Sequence, residues 1–117
     1  MNKREIGARY EDLVASYLES CGYTVLERNF RCRYGEIDLV AADGSGEQPV
    51  LVFIEVKYRS SAAYGYGEEA VNARKQQRIR NAASFYLTRY QVKNSTPCRF
   101  DVIVFAGVRM RHYVDAF

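Results

Sequence analysis

Gly35-Glu36-Ile37-Asp38-Leu39-Val40 and Phe53-Ile54-Glu55-Val56-Lys57 flank a turn-forming segment, Asp43-Gly44-Ser45-Gly46-Glu47-Gln48-Pro49. At a period of two, the first piece alternates Glu36 and Asp38 with Ile37 and Leu39, the pattern of a half-buried strand. The second is apolar on both faces. Val50, Val52, Ile54 and Val56 line one face, Leu51 and Phe53 the other, until Glu55 and Lys57 interrupt it. An acid and an amine two residues apart on a buried strand are costly unless paired or ligated. The Gly- and Pro-containing connection predicts an antiparallel hairpin that brings the Asp38 region close to the Glu55 end.

Upstream, residues 3 to about 20 predict a helix with the stripe Ile6, Tyr10, Leu13, Val14, Tyr17 and Leu18, stopped by Gly22. Glu11 falls on the border of that stripe, with Gly7 one turn away. Tyr23 to Arg28 predicts a short first strand. Asn29 to Tyr34 reads as an irregular or turning segment, and the clustered Arg28, Arg31 and Arg33 suit a solvated edge or phosphate contact equally. Downstream, Tyr58 to Gly67 predicts a loop of small and aromatic residues beside Lys57, where binding loops tend to sit.

Glu68 to about Tyr90 predicts a second helix with the stripe Val71, Ile79, Ala82, Ala83 and Tyr86, and Glu68 and Glu69 suit its first turn. Arg74, Lys75, Arg78 and Arg80 decorate its first half. Lys75 lies one turn from both Val71 and Ile79, so it faces inward. Arg99 to Phe105 predicts a buried strand and Val108 to Val114 a last edge strand, carrying the single histidine, His112, as an edge residue. The order implies one α/β domain over residues 1–117, a central mixed β-sheet flanked by helices, with a site at a sheet edge.

An apolar fraction of 48% and a charged fraction of 26% place the chain among ordinary soluble domains. No apolar run reaches the roughly 18 to 20 residues that span a bilayer, and no signal-peptide pattern opens the chain, so no membrane partner is expected. Cys21, Cys32 and Cys98 are odd in number and lack a Cys-x-x-Cys pair, which suits the reducing cytoplasm and argues against a disulfide framework or a thiolate zinc site. Net charge is −3 over residues 1–57 and +6 over residues 58–117, so the candidate acids and a candidate polyanion-binding surface occupy different halves.

Two carboxylates brought together repel, which raises one pKa unless a cation fills the gap. Mg²⁺ or Mn²⁺ is the cation this donor set suits, since Mg²⁺ takes one or two carboxylates, waters and phosphate oxygens. Lys57, on the face of Glu55, can stabilise a pentavalent phosphate or position water. Glu11 can complete the metal shell. The bland reading of the same residues is a Glu55–Lys57 salt bridge at a strand end with Asp38 an edge residue. Nucleophile and phosphate-loop schemes are excluded: there is no Gly-x-Ser-x-Gly, no Cys near His112, and no Gly-x-x-x-x-Gly-Lys-Ser/Thr.

With Asp38 as first acid and Glu55-Val56-Lys57 as second half, the chain resembles the PD-(D/E)XK nuclease core, with Ile37 where the named motif has proline. More closely, it resembles the YraN-type family of uncharacterised bacterial proteins, related in fold to archaeal Holliday junction resolvases. The matching pieces are Gly7 with Glu11, Gly22-Tyr23, Arg28-Asn29, Gly35 to Val40, Phe53 to Arg59, Lys75-Gln76, Arg99-Phe100-Asp101-Val102 and Ala116-Phe117. The resemblance implies a restriction-endonuclease-like fold and a metal-dependent endonuclease site at Asp38, Glu55 and Lys57, with Glu11 as the helix acid that completes it. DNA, with branched or structured forms as candidates, is then the expected partner. Arg59, Arg74, Lys75 and Arg78 are the expected phosphate contacts, with Tyr64 and Tyr66 placed to stack on bases. A resolvase-like role implies a homodimer. The alternative is a module that keeps this fold but binds nucleic acid, or docks on another protein, without cleaving.

Overall fold

The computed structural model of the protein describes residues 3–59 and 71–117. Seven elements follow in order: α1 (Lys3–Ser20), β1 (Tyr23–Cys32), β2 (Gly35–Asp43), β3 (Val50–Arg59), α2 (Ala73–Arg89), β4 (Cys98–Ala106) and β5 (Arg109–Tyr113). The strands form one five-stranded sheet in sequence order, with β3 and β4 parallel and every other pair antiparallel. The parallel pair needs a crossover, and α2 lies within it. This is the α/β architecture with a mixed sheet that the alternating strand and helix periods predict.

Each helix covers one face. Val14 and Leu18 of α1 pack on Leu39, Ala41, Val52, Ile54, Ile103 and Phe105. Ile79, Ala82, Ala83 and Tyr86 of α2 pack on Phe30, Val40, Phe53, Val102 and Val104. The two faces predicted for β3 thus divide between two helices, which is why that strand is apolar on both sides. Leu13 departs from the predicted α1 stripe. It is 57% exposed, because the buried face narrows to Val14, Ala15 and Leu18 with the two tyrosines at its borders. Gly22 ends α1 as expected, at φ +90, with its N–H donating to the Glu19 carbonyl.

Two boundaries in particular differ from the sequence reading. β1 runs on through Asn29 to Cys32, so the turn shrinks to Arg33 and Tyr34. A register shift between Val25 and Glu27 and a positive φ at Asn29 let the strand continue where its polar sequence predicts a break. α2 begins at Ala73, where the Asn72 side chain accepts from the Lys75 N–H at 2.9 Å. The first turn therefore carries no acid, and Glu68 and Glu69 lie outside the described residues. Among the described residues, no helix is long and apolar enough to cross a membrane.

Candidate active site

The pairing of β2 with β3 runs from Asp43↔Val50 to Leu39↔Ile54 and goes no further. Side-chain alternation slips at the same point. Ile37 and Val40, three residues apart, both pack on the α2 side, whereas Leu39 and Ala41 pack on the α1 side. Asp38 occupies the slip. Its Oδ2 accepts the Val56 N–H at 2.7 Å, so the carboxylate takes over a ladder bond that β2 no longer makes. The site thus lies between two inner strands, not at the sheet edge that the sequence reading predicts, because the strands part there.

Glu55 shares the α2-facing side of β3 with Leu51 and Phe53 and is 4% exposed. Two ammoniums reach its Oε1: Lys57 Nζ at 3.4 Å and Lys75 Nζ at 3.5 Å. Lys57 sits two residues along the same strand and Lys75 comes from the first turn of α2, so strand and helix converge on one carboxylate. With both cations on Glu55, Asp38 carries the unrelieved repulsion. Burial first, then the Glu55 charge, push its pKa up to about 7 against the favourable Val56 N–H bond.

Other predicted residues are placed as follows. The Glu11 carboxylate accepts from Asn29 Nδ2 at 3.3 Å. Asn29 stands between Arg28 and Phe30, whose partners across the sheet, Leu39 and Ile37, are the two neighbours of Asp38. Among the described residues, no three His, Cys, Asp or Glu side chains converge to form a metal cluster. Arg59 ends β3, opposite Ala106 of β4. Arg74 and Arg78 are exposed on α2. Tyr64 and Tyr66 lie outside the described residues.

The sequence reading saw Lys75 facing inward but assigned it to phosphate; its partner here is Glu55. It also missed a buried polar cluster behind β2 and β4. Asp101 is fully buried and holds Arg99 through two bonds at 2.9 Å. It also meets His112 Nε2 at 2.7 Å and the Asp115 N–H at 3.0 Å. Arg99 continues to Asp43 and to the Tyr23 hydroxyl, and His112 Nδ1 to the Tyr17 hydroxyl. His112 is on the edge strand as predicted, yet its side chain is only 8% exposed. Arg99 and Asp101, two apart on one strand face, were the available signal.

The family model described as Uncharacterised protein family UPF0102 matches residues 10–105, and the chain belongs to that family, the YraN type that its motifs resemble. A UPF0102 protein of Lachnoclostridium phytofermentans is 47% identical over 117 residues, covering 100% of this chain and 96% of the relative. UPF0102 protein GSU0650 of Geobacter sulfurreducens is 44% identical, covering 96% of this chain and 88% of the relative. One from Caldicellulosiruptor saccharolyticus is 41% identical over 103 residues, covering 88% of this chain and 83% of the relative.

Proposed function

We propose that this chain is a divalent-metal-dependent endonuclease of restriction-endonuclease-like fold that hydrolyses DNA phosphodiester bonds, with branched or structured DNA as the candidate substrate. The observation that carries this reading is the meeting of Asp38 and Glu55 where β2 and β3 part, with Lys57 and Lys75 on the Glu55 carboxylate. A buried and a half-buried acid whose charge two lysines only partly relieve are a donor set for a hard dication. Asp38 and Glu55 would hold Mg²⁺ or Mn²⁺. Glu11 would join them from α1 through the Asn29 side, as the acid that tunes the shell. The ion, when bound, supplies charge neutralisation and activation of water for attack on phosphorus.

The remaining work falls to the chain. Val56 N–H orients Asp38, and Lys75 steadies the Glu55 carboxylate. Lys57, one-third exposed, is the ammonium able to turn from Glu55 towards a phosphate as negative charge grows on it. Arg59, Arg74 and Arg78, with Tyr64 and Tyr66, would hold the flanking strand. Two copies of the chain would suit a substrate with two-fold symmetry.

The Glu55 contacts also favour a second reading, a non-catalytic nucleic-acid-binding or protein-docking module in which both lysines are simply salt-bridged. Purified protein, Glu55→Ala and Lys57→Ala are incubated with labelled duplex, flap, junction and single-stranded DNA in Mg²⁺, Mn²⁺ or EDTA. Metal-dependent cleavage lost in both variants, with binding retained, supports the enzyme. Tight binding without cleavage under either metal refutes it and leaves the module.

A further inference from the structure

A cavity of about 480 Å³ opens between the β1–β2 turn and the exposed side of α2, walled by Arg33, Tyr34, Asn81, Ser84, Phe85 and Thr88. That volume lies within the range of small-molecule sites, about 300 to 1,000 Å³. Its aromatic wall is built in place. Arg33 Nη2 donates to the Tyr34 hydroxyl at 2.8 Å, and its guanidinium carbon lies 4.9 Å from the Tyr34 ring centre. Phe85 meets Tyr34 edge-on, with centroids 6.2 Å apart. Tyr34 is nonetheless 39% exposed. Asn81, held by Gln77 at 3.0 Å, and the Ser84 hydroxyl supply the polar edge. No acid lines the cavity among the described residues.

Its position relative to the carboxylates follows from two elements. Along β2, Gly35 is three residues before Asp38, about 10 Å at strand rise. Along α2, Asn81 is six residues after Lys75, about 9 Å at helical rise. Arg78 lies between, its Cβ 3.8 Å from where a Gly35 Cβ would stand. A strand that leaves the carboxylates over Arg78 therefore reaches the cavity after about three nucleotides if it stays stacked at 3.4 Å each, and sooner where it is extended.

We infer that this cavity is a subsite for an unpaired nucleobase about three nucleotides from the phosphate at Asp38 and Glu55. A ring face, a guanidinium plane and an amide edge match a base, whereas a phosphate has no use for Tyr34 and Phe85. A paired base cannot enter without leaving its stack, so the occupant comes from a single-stranded arm. The substrate class is thereby narrowed to duplexes that carry one. This rests on the nucleic-acid reading above.

The test uses the full chain in EDTA, where cleavage plays no part. Duplexes with a single-stranded arm carry 2-aminopurine at successive positions from the junction, beside a blunt duplex of equal charge. Quenching should peak at one arm position and vanish in Tyr34→Ala, with affinity for the armed DNA about tenfold weaker and blunt-duplex affinity unchanged. Tyr34→Phe, which keeps the ring, should behave as the parent, and Ser84→Leu, which fills the cavity from an exposed position, should reproduce the loss. Equal losses on armed and blunt DNA, quenching that survives Tyr34→Ala, or no loss in either cavity variant overturns the subsite. The nuclease reading is separable: localised quenching by a protein that never cleaves keeps the subsite and refutes the enzyme, and cleavage indifferent to Tyr34 does the reverse.

Discussion

Asp38→Asn should stabilise the metal-free protein at alkaline pH. The Asp38 carboxyl sits at about 7 in the fold against an ordinary 3.8, a difference of about three units. At 1.36 kcal/mol per unit this is about 4 kcal/mol as an upper bound, and partial contact with solvent reduces it to about 2 kcal/mol. The sign is that of a raised acid. Below about pH 4, Asp38 is protonated folded and unfolded, and nothing is lost. Between pH 4 and 7 only the unfolded chain ionises, so stability falls; above 7 the whole penalty applies. Asparagine keeps an oxygen for the Val56 N–H and removes the repulsion from Glu55. Urea unfolding in EDTA should show the variant about 2 kcal/mol more stable at pH 8.5, the gap closing towards pH 4. Added Mg²⁺ should raise the parent and leave the variant unmoved. A variant less stable than the parent at pH 8.5, or an equal pH slope for both, would refute the account of the pair.

Three further outcomes follow from other parts of the molecule. Lys57→Ala should lower kcat by roughly 10² to 10³ while DNA affinity changes only a few-fold, read from single-turnover cleavage and from anisotropy. Asp101→Asn should cost about 3 to 5 kcal/mol at pH 7, measured by denaturant unfolding, because it removes the buried charge that holds Arg99 and His112 and leaves Arg99 only Asp43 as an ion partner. Burial alone would push the Asp101 carboxyl up, but bonds from His112, Arg99 and the Asp115 N–H outweigh it and hold it low. Its stabilisation is thus present above the ordinary carboxylate range and lost as pH falls through the lower folded value, so melts from pH 2 to 7 should show the two proteins converging in acid. Finally, Arg74→Ala combined with Arg78→Ala should reduce the slope of log affinity against log salt by about 2, whatever the DNA sequence.

The hairpin was legible because an alternating stretch and a short apolar run flank a Gly- and Pro-containing turn. So was the inward side of Lys75, which one helical turn from Ile79 is enough to establish. The slip at Asp38 was not legible, since it arises where two strands part, and a one-strand pattern contains no information about its neighbour. The Asp101 cluster was hidden for a related reason. Asp43, Arg99 and His112 come from three strands, and only the sheet order brings them together. Leu13 misled because an apolar residue at helical spacing is a statement about hydropathy, not about how wide a face the sheet covers.

The anomaly at Glu55 has two partial solutions in the fold, and their difference bears on function. Lys57 and Lys75 relieve Glu55, and a salt-bridged strand end would need nothing more. Asp38 undoes part of that relief by placing a second carboxyl against the first, at a position where a neutral amide could take the Val56 N–H without the repulsion. A strand selected only for stability has no reason to keep it. The parting of β2 from β3 and the proton that Asp38 takes up near neutrality are both costs of holding two acids together, and the Val56 N–H bond offsets only part of them. A dication would offset the repulsion between the two acids, which makes metal binding by Asp38 and Glu55 the step from which the proposed chemistry stands or falls.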